Sequence, residues 1–128
     1  AKNDDVVRDG VILIAPGGVH MTIKKTSDNY VVELKDFPKV NSHKPSVNVL
    51  FDSISGSAGA NATGFLLTGM GNDGADGLKK MRHNGSKTYV QNEKTSVVFG
   101  MPKIALEIGA SDTALSIFEI TQTINELR

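Results

Sequence analysis

Phe65-Leu66-Leu67-Thr68-Gly69-Met70-Gly71-Asn72-Asp73-Gly74-Ala75 reads as an apolar strand that breaks into a glycine-rich turn and opens a helix. Consecutive apolar residues bounded by turn chemistry predict a strand covered on both faces. The helix carries Ala75, Leu78 and Met81 on one face, and Asn84-Gly85 stops it. Moving toward the N-terminus, Ser46 caps a helix running to about Ser57, with Val47, Leu50, Phe51, Ile54 and Ala58 on its apolar stripe. Phe37 to Lys44 is a polar loop. Met21 and Ile23, then Tyr30, Val32 and Leu34, alternate with mostly polar neighbours around the turn residues Thr26-Ser27-Asp28-Asn29, which predicts a β-hairpin. Val11-Ile12-Leu13-Ile14-Ala15, entered through Asp9-Gly10 and closed by Pro16-Gly17-Gly18, predicts another strand buried on both faces. Toward the C-terminus, Thr88 to Gln91 is a short strand, and a helix starts at Pro102 and buries Ile104, Ala105 and Ile108 before Gly109. The last helix has a capping box, Ser116 with Glu119, a staple of Leu115 and Ile120, and a stripe of Ile117, Ile120, Ile124 and Leu127. Strands alternating with helices predict an α/β layer fold, with a mainly parallel sheet and one appended antiparallel hairpin.

A length of 128 residues suits one domain. Fourteen Lys and Arg balance 14 Asp and Glu, and this neutrality argues against nucleic acid as a partner. No apolar run approaches the ~20 residues of a membrane span, so no membrane insertion is expected. Zero cysteines exclude disulfides, thiolate zinc sites and a cysteine nucleophile. The start, Ala1-Lys2-Asn3-Asp4-Asp5, does not resemble a signal peptide, and a cytoplasmic location fits.

Three polar clusters follow expected strands and fall on the edge where such folds bind ligands: Gly17 to His20, Thr68 to Asp73, and Gln91 to Thr95. Gly69 to Gly74 satisfies G-x-G-x-x-G, and Glu93 stands where a ribose-binding acid would. Charge excludes the dinucleotide reading, because Asp73 and Asp76 occupy the helix end that a pyrophosphate needs. Two readings of Asp73 stay open: a cap of its own helix, or an acid that orients a catalytic imidazole. Amides exposed by the glycines could form an oxyanion site. His20 is read as a general base, a ligand anchor or a loop hydrogen-bonder. His43 precedes a helix start, and His83 lies in a last helical turn where a cation suits the dipole. His20, His43 and Asp73 lack any recognised ligand spacing, so no metal is assigned. There is no G-x-S-x-G elbow, and Ser57 is read as structural.

Four ordered stretches carry a resemblance that covers essentially the whole chain: Ile14 to Met21, His43 to Phe51, Leu67 to Ala75, and Gln91 to Pro102. They resemble the CheB-type chemotaxis protein-glutamate methylesterases, with Asn48 and Asn92 standing where many members carry aspartate. The resemblance implies a three-layer Rossmann-like sandwich and a Ser-His-Asp hydrolase without a cofactor. Such enzymes remove methyl esters from glutamates, and deamidate glutamines, on chemoreceptor cytoplasmic helices. Asp73 matches the triad aspartate, and the Met70 amide, flanked by Gly69 and Gly71, matches an oxyanion donor. The family's serine motif (Gly-Ala-Ser-Thr-Gly-Gly) and histidine motif (Gln-His-Met) do not occur here. Residues 1–128 are therefore expected to be the C-terminal part of such a catalytic domain, without a receiver domain and inactive alone. His20 is left as a rim or substrate-positioning residue. The expected partners are methylated receptor helices, an upstream segment or a second copy of the chain. The alternative reading is a non-catalytic receptor-binding module of the same fold.

Overall fold

Thr63 to His83 folds as strand, turn and helix in the computed structural model, which describes residues 1–127. The elements in chain order are β1 (His20–Lys25), β2 (Tyr30–Lys35), α1 (Val47–Ser57), β3 (Thr63–Leu66), α2 (Ala75–His83), β4 (Lys87–Gln91), α3 (Met101–Glu107), β5 (Ala114–Leu115) and α4 (Ile117–Glu126). Strands β3, β4 and β5 lie side by side, all parallel, with Leu66 opposite Val90 and Val90 opposite Ala114. β1 and β2 form the expected antiparallel hairpin as a separate sheet, with Ile23 opposite Val32. The α/β class, the parallel sheet and the hairpin are as the sequence reads.

Alternation along the strands decides where the core lies. Gly64 and Leu66 of β3 and Thr88 and Val90 of β4 face α2, where Leu78 and Met81 are fully buried. Ala105 of α3 and Ala110 complete the same core. Each large side chain buried there is worth about 1.5–3 kcal/mol. Phe65 and Tyr89 stack on the opposite face at 5.3 Å and stay half-buried. Ile120 of α4 is buried outside the α2–α3 core, and Asn125 and Leu127 return to the level of Thr63, so α4 crosses on this second side. α1 packs between the hairpin and α2, with the Ile23 N–H donating to Ser53 Oγ (2.9 Å).

The run Val11 to Ala15 departs from its reading. It forms no strand, and Ile12 and Ile14 are 89% and 74% exposed. A strand needs a neighbour to take its backbone groups, and among the described residues no chain lies beside this run as a sheet partner. The N-terminus instead pairs further upstream: Val6 bridges Val31, and Asp4 N–H donates to Val32 O (2.8 Å). Gly17 to His20 therefore do not follow a strand of the parallel sheet; His20 opens β1. The two-residue β5 is a further difference, too short to leave a periodic trace.

Candidate active site

The loop from Thr68 to Gly74 leaves the carboxyl end of β3 and is gripped on three sides. Gln91, buried at the end of β4, accepts the Thr68 N–H through Oε1 (2.8 Å) and donates through Nε2 to Thr95 O (2.8 Å). Thr68 Oγ1 bonds both the carbonyl and the amide of Val98, at 3.0 and 2.9 Å. The Gly69 N–H donates to Val98 O at 3.0 Å. These bonds tie the second and third polar clusters together. Gln91 is a positioning residue that motif reading leaves unassigned; its signal is a polar side chain ending a buried strand.

Gly69 O accepts from Gly100 N–H (3.1 Å) and Met101 N–H (2.8 Å). The carbonyl and amide of a trans peptide point in opposite directions, so this grip turns the Met70 N–H away from the body of the protein. Among the described residues that amide donates no hydrogen bond. The Met70 side chain is 80% exposed beside it. Gly71 holds φ at +91°, a conformation that a side chain with a Cβ resists. A Cβ on Gly69 would run into Met101 Sδ.

Asp73 is buried to 2% exposure, yet it does not cap its own helix. The N-cap of α2 is Gly74, with no side-chain bond. The carboxylate reaches across to the start of α1. Asp73 Oδ1 accepts from Ser46 Oγ (2.7 Å), Asn41 Nδ2 (3.1 Å) and Asn48 N–H (3.3 Å); Oδ2 accepts from Val47 N–H (2.7 Å). Three donors on one oxygen and one on the other leave Oδ2 with room for a further donor. The N-terminus of α1 is also where a helix favours negative charge. The service is returned: Asn48 Oδ1 accepts the Gly77 N–H in the first turn of α2 (2.5 Å).

His20 is wholly buried and is not a rim residue. Its ring stacks on Phe37 at 4.2 Å, Nε2 bonds Pro38 O (3.0 Å), and Nδ1 accepts the Ser46 N–H (3.2 Å). Nearby, the Lys44 ammonium beside Asp36 holds that carboxyl below its ordinary range. His43 lies in the loop ahead of α1, where its backbone pairs with Val40. His83 ends α2 and lines a groove with Asp76 and Lys79 that Asp73 does not line. Among the described residues no three His, Asp or Glu side chains converge as metal ligands would.

The family model for CheB methylesterase matches residues 1–124. The chain belongs to the CheB methylesterase family. It is 47% identical over 127 residues to protein-glutamate methylesterase/protein-glutamine glutaminase 4 of Anaeromyxobacter dehalogenans, covering 99% of this chain and 36% of that protein. It is 53% identical over 124 residues to protein-glutamate methylesterase/protein-glutamine glutaminase 2 of Shewanella denitrificans, covering 97% and 35%. The structure superposes on the crystal structure of the Thermotoga maritima CheB methylesterase catalytic domain with a TM-score of 0.95 and 31% identity, covering 100% of this chain and 68% of that one. The chain thus spans about a third of the length of these curated relatives. No described helix is long and apolar enough to cross a membrane.

Proposed function

We propose that this chain is the aspartate-bearing, C-terminal part of a methylesterase catalytic domain. Asp73 would orient the imidazole of a Ser-His-Asp triad, and the Met70 N–H would stabilise the oxyanion as water or the serine adds to a glutamyl ester. The substrates would be methylated glutamates, demethylated by the enzyme, and glutamines, which it would deamidate, on the cytoplasmic helices of chemoreceptors, in the cytoplasm. The names of the relatives support the activity. The observation that carries the site is the Asp73 carboxylate, fixed by four donors with Oδ2 holding one of them. A triad acid needs this: its orientation is set before the imidazole arrives, and one lone pair is kept for the imidazole N–H.

Leu67, Met70, Val97 and Val98 are exposed around the same loop. They favour docking of an amphipathic helix, which serves catalysis and the receptor-binding alternative equally. The exposed Ile12 and Ile14, and the outer edge of β3, await a further strand, from a preceding segment or a second copy. Methanol release from a methylated receptor fragment separates the readings. The chain alone should release none; expressed with whatever its gene encodes ahead of Ala1, it should hydrolyse the ester. A complete gene product that binds receptor without releasing methanol would establish the binding module instead.

A further inference from the structure

We propose that His20 positions the Asp73 carboxylate through Ser46, an assignment that takes Asp73 as the acid proposed above but is tested apart from it. Ser46 stands at a junction. Its Oγ donates to Asp73 Oδ1 (2.7 Å) and accepts the Val49 N–H (3.3 Å), so the hydroxyl is shared between capping α1 and holding the acid. Its own N–H points the other way, in a place that is 2% exposed. A buried amide needs an acceptor, and the acceptor is His20 Nδ1 at 3.2 Å.

The ring can serve only in one form. Pro38 O is purely an acceptor, so Nε2 must carry the hydrogen; the Ser46 N–H is purely a donor, so Nδ1 must carry the lone pair. Stacking on Phe37 fixes the plane of the ring. The chain of contacts therefore runs from the Phe37–Pro38 segment, through the imidazole, to the Ser46 amide, and from the Ser46 hydroxyl to the carboxylate. Val47 and Asn48, the next two residues, supply the remaining backbone donors to Asp73. A displacement of Ser46 moves three of the four donors together. His20 is thus a positioning residue: its hydrogen bonds go to Pro38 and Ser46, and it reaches Asp73 only through Ser46.

The two ends of the imidazole can be removed separately. In His20→Asn the side-chain oxygen can replace Nδ1 and keep the Ser46 acceptor; in His20→Gln the amide nitrogen can replace Nε2 and keep the Pro38 donor. NMR of the full chain reads the result through the Asp73 carboxyl carbon and the Val47 and Asn48 amides. The expected result is that His20→Asn leaves these signals near their original positions and His20→Gln shifts them. Equal behaviour of the two variants, shifted or unshifted, overturns the proposal, because a ring that merely fills space would not distinguish them. The unsubstituted chain supplies a test that needs no variant to fold. Its imidazole nitrogen shifts must report hydrogen on Nε2 and none on Nδ1; the opposite tautomer overturns the proposal outright. Where the complete gene product is active, His20→Gln should lower kcat on the order of tenfold or more with KM little changed, as a small misplacement of a catalytic group does. Retained turnover in Asp73→Asn, with the NMR result as expected, would reject the triad reading and leave the positioning intact.

Discussion

At the start of α4, Ser116 Oγ accepts the Glu119 N–H (3.1 Å) and Glu119 Oε1 accepts the Ser116 N–H (3.0 Å). At the start of α1, Ser46 Oγ likewise accepts from the third helical residue, Val49, but no carboxylate of α1 itself answers: its first turn has no acidic residue. Asp73, 26 residues beyond Val47, supplies one instead, and Asn48 of α1 caps α2 in return. A capping box closes one helix and costs the rest of the fold nothing. A carboxylate borrowed from a distant loop locks two helices together and holds a buried charge in a fixed direction. The first arrangement is enough for stability. The second gives something extra, an oriented anion at the end of β3 beside an unbonded amide, and this is where the chemistry is proposed to lie.

Substitutions at the two helix starts should therefore differ in kind. The largest effect expected is on turnover. Asp73→Asn in the complete, active gene product should lower kcat by about 10⁴-fold, near 5 kcal/mol, because the imidazole loses its partner and tautomer; steady-state methanol release measures it, and a loss below tenfold would reduce Asp73 to a cap. Next comes stability. In the amide, either orientation turns an NH₂ toward Val47 N–H or toward the donors on Oδ1. The chain should lose about 3 kcal/mol, as for a buried charge network deprived of one member, read by urea unfolding. Ser116→Ala should cost only about 1 kcal/mol, the usual worth of a lost N-cap, and should leave turnover unchanged.

The smallest effect concerns acid. The Ser116 backbone N–H, then its side chain, bonds the Glu119 carboxylate and holds it below its ordinary value of 4.5. A carboxyl lowered in the folded state contributes stability above its unfolded value and loses it as pH falls through the folded one. Thermal stability should thus decline below about pH 4.5, with Glu33, Asp36 and Asp112, lowered by their own partners, adding to the loss. Glu119→Gln keeps the acceptor without the titration, so the decline should be slightly shallower; a decline unchanged by the substitution would remove Glu119 from the acid response.

The same contrast explains what could be read before the fold was seen. Ser116 and Glu119 stand three residues apart, within the reach of a local pattern, and both bonds form as expected. The hairpin, α1, α2 and the β3 turn are likewise local in origin. Asp73 is recognisable in the sequence as an acid of interest, but its partners are not, because Ser46 lies 27 residues away and meets it only through packing. His20 is hidden for the same reason: its burial depends on the loop through Phe37 and Pro38 folding over it. Val11 to Ala15 fails in the opposite direction. The run has the composition of a buried strand, but burial depends on a neighbour, and composition does not supply one.

A double-mutant cycle on unfolding free energy tests the central claim most directly, that Asp73 is the remote closure of α1. Asp73→Ala and Ser46→Ala each remove the same hydrogen bond, so their effects should fall short of additivity by about 1–2 kcal/mol, while Asp73→Ala and Ser116→Ala, with no shared partner, should add to within about 0.5 kcal/mol. Additivity at both pairs would contradict the account, since it would mean that Asp73 and the start of α1 do not stabilise one another.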